Sequence, residues 1–142
     1  MIIICPGSMY GSILVNFLPR GAKEAYRQSK ARKILLTNIM SVANENYKFS
    51  QDDYVRVFAK TIKAKKPFDL VIMPDLQKLN RKTLKKVLKF YELENSLPIK
   101  PNLRSKNKTI VADIATIEEK NYRLRHDPQK LAKIFARIIF KS

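Results

Sequence analysis

The chain has 142 residues, of which 45% are hydrophobic, and this length fits one globular unit or one part of a larger one. A single cysteine, Cys5, and a single histidine, His126, argue against a disulfide framework and against a zinc site. The net charge of +17 makes nucleic acid a partner to be weighed, but the lysines are spread along most of the chain without a nucleic-acid-binding motif, which favours solvated helix faces.

The first residues, from Ile2 to Ile4, form a β-branched apolar run that predicts a strand buried on both faces. The run is too short for a membrane span and too short for the apolar core of a secretory signal. We therefore expect a cytoplasmic protein without a membrane partner.

The segment after this strand predicts two helices and a second strand. Residues 8–18 place apolar side chains on one face of a short helix, and a break at Pro19 and Gly21 separates it from a helix between Ala22 and about Ser29. Residues 34–37 are typical of another strand, which Asn38 follows directly.

The middle of the chain continues the alternation of helices and strands. Ser50 and Asp53 form a capping signature, and the apolar residues that follow fall on one helical face. Residues 68–73 predict a third strand, residues 82–93 a helix, and Thr109 to Ala112 a fourth strand.

The last helix has the clearest start signal. Asp127 suits the capping position, Pro128 suits the first helical position, and an apolar stripe follows them. The stripe consists of Leu131, Ile134, Phe135 and Ile138.

Strands that alternate with helices predict an α/β, three-layer Rossmann-like fold, with a mostly parallel sheet and helices on both faces. A sheet of three or four strands would be thin, and the first strand has no protective edge feature. We therefore expect an incomplete domain, whose partner segment is lost, separately encoded or supplied by a second copy of the chain in a homo-oligomer.

Ligands of parallel sheets bind beyond the carboxyl ends of the strands, which directs attention to two loops. The turn from Cys5 to Ser12 combines glycines with hydroxyls before a helix, which suits a phosphate, although a tight strand-to-helix turn needs the same residues. The loop from Asn38 to Glu45 suits a nucleobase or ribose, but a plain polar loop is favoured on spacing alone. Residues 125–127 either bind a phosphate or cap the last helix, and capping is favoured for Asp127.

Three motifs in order resemble a known family. They are ICPGSMYGSILVNFLPRGAKEAYRQSKARKILLTNIM, YKFSQDDYVRVF and RLRHDPQKLAKIF, and together they span Ile2 to Phe135. These strings look like the gluconeogenesis-factor (YvcK-like) and 2-phospho-L-lactate transferase (CofD-like) family. The Asn38-Ile39-Met40 string is more similar to the gluconeogenesis-factor branch than to the transferase branch.

The resemblance implies a non-catalytic, regulatory protein that binds a UDP-sugar such as UDP-N-acetylglucosamine and is linked to cell-wall synthesis, cell shape and carbon metabolism. It implies that residues 1–142 are the C-terminal portion of the family fold, with the glycine-rich N-terminal half missing as a partner. It also implies no metal ligand, no catalytic residue and no cofactor held by this chain alone. The implied ligand-binding residues are Gly7, Ser8, Tyr10, Ser12, Asn16, Asn38, Met40 and Glu45. The chain departs from the family at Cys5 and Gly11, where the motif has glycine and threonine.

Two other functions stay open on the sequence. A phospho-lactate-type transferase would use a nucleotide donor and Mg²⁺, with the acidic residues for metal and catalysis supplied by the N-terminal half. A basic nucleic-acid-binding module would use the +17 charge.

Overall fold

A computed structural model describes residues 1–102 and 107–140. Its centre is a parallel sheet of four strands in the order β1-β2-β3-β4. The strands are β1 (Ile2–Ile4), β2 (Lys33–Leu36), β3 (Leu70–Pro74) and β4 (Thr109–Ala112). The helices are α1 (Ala22–Gln28), α2 (Gln51–Ile62), α3 (Arg81–Leu93) and α4 (Pro128–Phe140).

The sheet is buried on both faces because its central strands are apolar at every position except Lys33, the first residue of β2. On one face, Leu35, Val71 and Met73 pack in the same core as α1 and α2. On the other face, Ile34 and Ile72 belong to a second core that α4 covers through its apolar stripe. The helices therefore lie on both sides of the sheet, and the predicted three-layer Rossmann-like α/β fold is confirmed.

A cluster of aromatic rings forms the centre of the first core. Phe58 of α2 lies 5.3 Å from Phe17, 5.5 Å from Tyr26 and 4.6 Å from Phe68, measured between ring centroids. The first two contacts are edge-to-face, an arrangement that adds to the free energy of area burial. Phe58 thus joins α2 to α1 and to the segment that enters β3.

The start signals of two helices are confirmed in atomic detail. The Asp53 carboxylate accepts hydrogen bonds from the backbone N–H and the hydroxyl of Ser50, at 2.8 and 2.7 Å. The Asp127 carboxylate accepts from the amides of Gln129 and Lys130, at 2.9 and 3.0 Å. Both carboxylates satisfy groups at helix starts, as the sequence predicts.

The expected single helix over residues 8–18 is wrong. A wide π-type turn at Met9–Ile13 is followed by a 3-10 turn at Leu14–Phe17. The Ser8 carbonyl accepts from the amides of both Ser12 and Ile13, which widens the first turn. Leu18, expected on the apolar face, is 73% exposed because the chain leaves the core before Pro19.

One element was not predicted at all. β5 (Ala115–Glu118) and β6 (Arg123–His126) form an antiparallel hairpin that is separate from the main sheet. Ala115 and Leu124 are buried against α3, while the alternate positions, which carry Thr116, Glu118, Arg123 and Arg125, are less buried. None of the helices in the described part of the chain is long and apolar enough to cross a membrane.

We predict that Phe58→Leu lowers the free energy of unfolding by about 1–2 kcal/mol, because the aliphatic side chain loses the ring contacts in a tightly packed core. Urea denaturation monitored by circular dichroism measures this change. Ile139→Ala is the control, since Ile139 is 50% exposed and its loss should change stability by no more than about 0.5 kcal/mol. Equal stability of the wild type and Phe58→Leu would contradict the central role of this ring.

Candidate functional site

The loops that follow β1 and β2 are joined by a reciprocal pair of hydrogen bonds. The Gly7 N–H donates to Asn38 Oδ1 at 2.8 Å, and Asn38 Nδ2 donates back to the Gly7 carbonyl at 2.9 Å. An asparagine amide has both an acceptor oxygen and a donor nitrogen, so it can pair with the N–H and the carbonyl of Gly7 at the same time. The two loops are thereby fixed at the carboxyl ends of adjacent parallel strands.

A second link between the same loops comes from Glu45. Its Oε1 accepts from the Ser8 hydroxyl and from the Tyr10 N–H, both at 2.9 Å. The Ser8 hydroxyl oxygen in turn accepts from the Gly11 N–H at 2.9 Å. A carboxylate therefore lies at the turn where the sequence suggested an anionic ligand.

These contacts occupy most of the backbone amides that a phosphate at this turn would use. The amides of Gly7, Tyr10 and Gly11 are engaged by side chains, and those of Ser12 and Ile13 donate to the Ser8 carbonyl. Among the described residues, no group accepts a hydrogen bond from the Ser8 amide. A ligand at this turn would find the Ser8 amide available rather than a complete ring of donors.

The glycine at position 11, where the family motif has threonine, is explained by its local contacts. A Cβ atom at this position would lie 3.0 Å from the Ser8 hydroxyl oxygen, so the missing side chain permits the close approach of the Gly11 amide. Cys5, the other departure, is exposed and lies outside this contact.

The loop that carries Glu45 is held from behind by buried polar contacts. Asn46 Oδ1 accepts from the Val42 N–H at 2.6 Å, and Asn46 Nδ2 donates to the Tyr54 hydroxyl at 2.7 Å. Burial, and after it the charge of Glu45, raises the pKa of Tyr54 far above its ordinary value, so this phenol stays neutral. Helix α2 therefore supports the site from the core.

A cavity of about 340 Å³ opens beside the joined loops, within the size range of small-molecule sites. One wall comes from the loops after β1 and β2, and the other comes from the β5–β6 hairpin. The lining residues are Pro6, Gly7, Ser8, Asn38, Ile39, Met40, Leu124, Arg125 and His126.

The structure thus brings together six of the residues that the resemblance implied and separates two. Gly7, Ser8, Asn38 and Met40 line the cavity, while Tyr10 and Glu45 join it through their hydrogen bonds to the turn. Ser12 and Asn16 line a different hollow of about 320 Å³, together with Cys5. Ligand contact by any of these residues stays a prediction.

Arg125 and His126 reach the cavity because the hairpin brings β6 alongside Asn38. The Arg125 side chain is 64% exposed and forms an ion pair with Glu118 at 3.4 Å. Arg125 supplies the positive charge among the residues that line the cavity. The sequence suggested a phosphate site at Arg125 and His126. Because it did not predict the hairpin, it did not show that these residues lie near the turn after β1.

The His126 side chain is half-buried, and its Nε2 has no hydrogen-bond partner among the described residues. Burial lowers the pKa of His126, and a hydrogen bond with the Thr37 backbone opposes this effect. The imidazole is therefore neutral near pH 7, and its unpaired Nε2 is buried rather than open to solvent. Within residues 1–102 and 107–140, no group of three metal-binding side chains converges.

Comparison with known proteins identifies relatives of the whole chain. A family model described as 2-phospho-L-lactate transferase CofD matches residues 1–124. A Thermotoga maritima protein is 32% identical across 97% of this chain, and an Aquifex aeolicus protein is 31% identical across 98% of it. Both carry the provisional name gluconeogenesis factor.

A solved structure of a UPF0052-family protein from Bacillus halodurans superposes with a TM-score of 0.79 at 25% identity, over 94% of this chain and 41% of that one. The chain spans 43% of the Thermotoga relative and 41% of the Aquifex relative. It is therefore similar to less than half of each of these proteins.

We predict that Glu45→Ala lowers the free energy of unfolding by about 1–2 kcal/mol, because two donors lose a charged acceptor that joins the loops. Urea denaturation measures the loss. Ser12→Ala serves as the control, since Ser12 is exposed and its hydroxyl makes no hydrogen bond with a described residue, so its removal should be neutral within about 0.5 kcal/mol. Equal effects of the two variants would refute the structural role of Glu45.

We also predict that stability declines in acid because of His126. Its folded pKa lies below the ordinary value of 6.5, so the unfolded chain takes up the proton first as the pH falls below that value. The free energy of unfolding should therefore be fully retained above about pH 6.5 and decrease from there towards the lower folded pKa.

Urea midpoints between about pH 7 and pH 5 test this expectation, with His126→Gln as the comparison. His126 is the only histidine, so the variant should show a flatter dependence in this range. An unchanged slope in His126→Gln would assign the pH dependence to other groups.

Proposed function

Because this chain belongs to the 2-phospho-L-lactate transferase CofD family, we propose that it binds a UDP-sugar, of the UDP-N-acetylglucosamine type, in the cavity beside β1 and β2. The single observation that carries the proposal is the convergence of Ser8, Asn38 and Arg125 on one cavity at the carboxyl ends of parallel strands. This is where α/β sheets bind nucleotides.

Arg125 is the group proposed to hold the diphosphate. A guanidinium can bind two phosphate oxygens at once, and the exposed pair with Glu118 is weak enough to be exchanged for a ligand. The Ser8 amide would donate from the opposite wall. The negative charge of Glu45 favours a ligand position in which the phosphates lie towards Arg125.

The remaining lining suits the uncharged parts of such a ligand. Ile39, Met40 and Leu124 supply apolar surface for a sugar or base face, and the Asn38 amide is a polar group beside it.

The proposed biological role is regulatory. The provisional gluconeogenesis-factor name of the two relatives supports a link to carbon metabolism, and we extend the proposal to cell-wall synthesis and cell shape through the UDP-sugar ligand. Because the chain spans less than half of these relatives, we propose that an N-terminal half or a second copy completes the site.

A transferase is the alternative, since this is the activity named in the description of the family model. In that case a nucleotide donor, an acceptor and Mg²⁺ would react in a site that includes residues outside this chain. Product formation from donor, acceptor and Mg²⁺ by the chain with an N-terminal companion would support the alternative over the regulatory proposal.

The test is calorimetric titration with UDP-N-acetylglucosamine, on the chain alone and on the chain co-expressed with the N-terminal part of the Thermotoga relative. We expect Arg125→Gln to weaken binding by about ten- to one-hundredfold, the range for a hydrogen bond to a charged group. Lys133→Gln removes the same charge from an exposed position of α4 and should leave the affinity unchanged. The proposed site would be overturned if neither the chain alone nor the co-expressed pair gave a heat of binding. It would also be overturned if Arg125→Gln and Lys133→Gln weakened binding equally.

A further inference from the structure

The exposed side of α3 carries lysines at helical spacing. Lys82, Lys85, Lys86 and Lys89 form this α3 lysine stripe, and all four are exposed. None of them forms an ion pair with another described residue, and like charges at this spacing repel one another. The stripe is therefore a concentrated positive surface whose lysines form no ion pair among the described residues, and Glu92 is the one carboxylate that lines a hollow with Lys85 and Lys89.

An exposed aromatic pair lies at the C-terminal end of the stripe. The rings of Phe90 and Tyr122 stack with their centroids 4.8 Å apart and an angle of 28° between them. Phe90 remains 47% exposed, Tyr122 42% and Leu93 83%. Together with Lys86 and Lys89, they line a hollow of about 340 Å³.

The backbone at Tyr122 is strained for the residue that it carries. Its φ of 51° lies in the left-handed region, where glycine or asparagine is favoured over an aromatic residue. A hairpin turn with no other task would be more stable with either of those residues. The turn instead holds a half-exposed ring on Phe90, next to lysines.

We infer that the α3 lysine stripe and the Phe90–Tyr122 pair form a binding surface for single-stranded nucleic acid. The lysines contact successive phosphates, and an unpaired base stacks on an outer ring face. This surface is separate from the cavity beside β1 and β2, and its lining shares no residue with that cavity.

Charge and ring geometry select this partner among the alternatives. At this surface a second copy of the chain would bring lysines of the same charge against the stripe and be repelled there. A duplex hides its base faces within the helix, and an acidic protein segment supplies charges without regularly presented planar rings. A single strand offers both phosphates and accessible bases.

The experiment measures fluorescence anisotropy of a labelled oligouridylate of about twelve nucleotides, titrated with the purified chain at several salt concentrations. Tyr122→Asn removes the ring and relieves the backbone, so we expect a folded variant that binds at least about fivefold more weakly. Phe90→Leu, which keeps apolar volume without a planar face, should weaken binding in the same direction.

The lysines have a separate signature. The double variant Lys86→Gln/Lys89→Gln should lower the slope of log affinity against log salt by about 1.4, because each single-strand phosphate contact contributes about 0.7. The matched control, Lys60→Gln/Lys133→Gln, removes the same charge from exposed positions of α2 and α4 and should retain the wild-type slope.

Three results would overturn the inference. The control could lose as much affinity as the Lys86/Lys89 variant, which would assign binding to the overall charge. Duplex RNA or polyglutamate of similar length could bind as tightly as the single strand, which would exclude a role for base stacking. Both aromatic variants could bind as tightly as the wild type, which would also exclude a role for base stacking.

Discussion

The reciprocal hydrogen bonds between Gly7 and Asn38 are the constraint on which the candidate site depends. Parallel pairing of β1 with β2 brings the two strand ends together, but it does not fix the loops beyond them. The Asn38 amide does so because it donates and accepts at once. Aspartate at this position would place a negative oxygen against the Gly7 carbonyl, so the exchange requires an amide.

From this link the cavity follows in steps through the rest of the fold. Glu45 reaches the turn because Asn46 holds its loop against Tyr54, and Tyr54 belongs to the helix that carries the aromatic core. The opposite wall depends on the hairpin, which places Arg125 beside the turn. The cavity therefore has a negative group at the turn and a positive group at the facing wall.

The sequence predicted the architecture well, since its signals are local. Apolar runs predicted the parallel strands, and the Ser50 and Asp127 signals located helix starts that the structure confirms. The hairpin was missed because each of its strands has only four residues and a single large aliphatic side chain, Ile117 in β5 and Leu124 in β6, which is too little for an alternating pattern to stand out.

The site was only partly predictable for a different reason. Gly7 and Asn38 are separated by 31 positions, and nothing in either loop alone shows that they pair. The occupied amides of the turn likewise depend on Glu45, which lies 37 positions from Ser8. Spacing therefore pointed to the correct loops but not to the contacts between them.

The short first strand has a consequence for how this chain meets other chains. Among the described residues, β1 pairs with β2 alone, and Ile3 is 36% exposed on it. The outer backbone groups of β1 are thus a template for strand addition from another polypeptide. With only three residues, β1 provides few such groups. Stable strand addition therefore requires further contacts, which an unrelated extended polypeptide would not make.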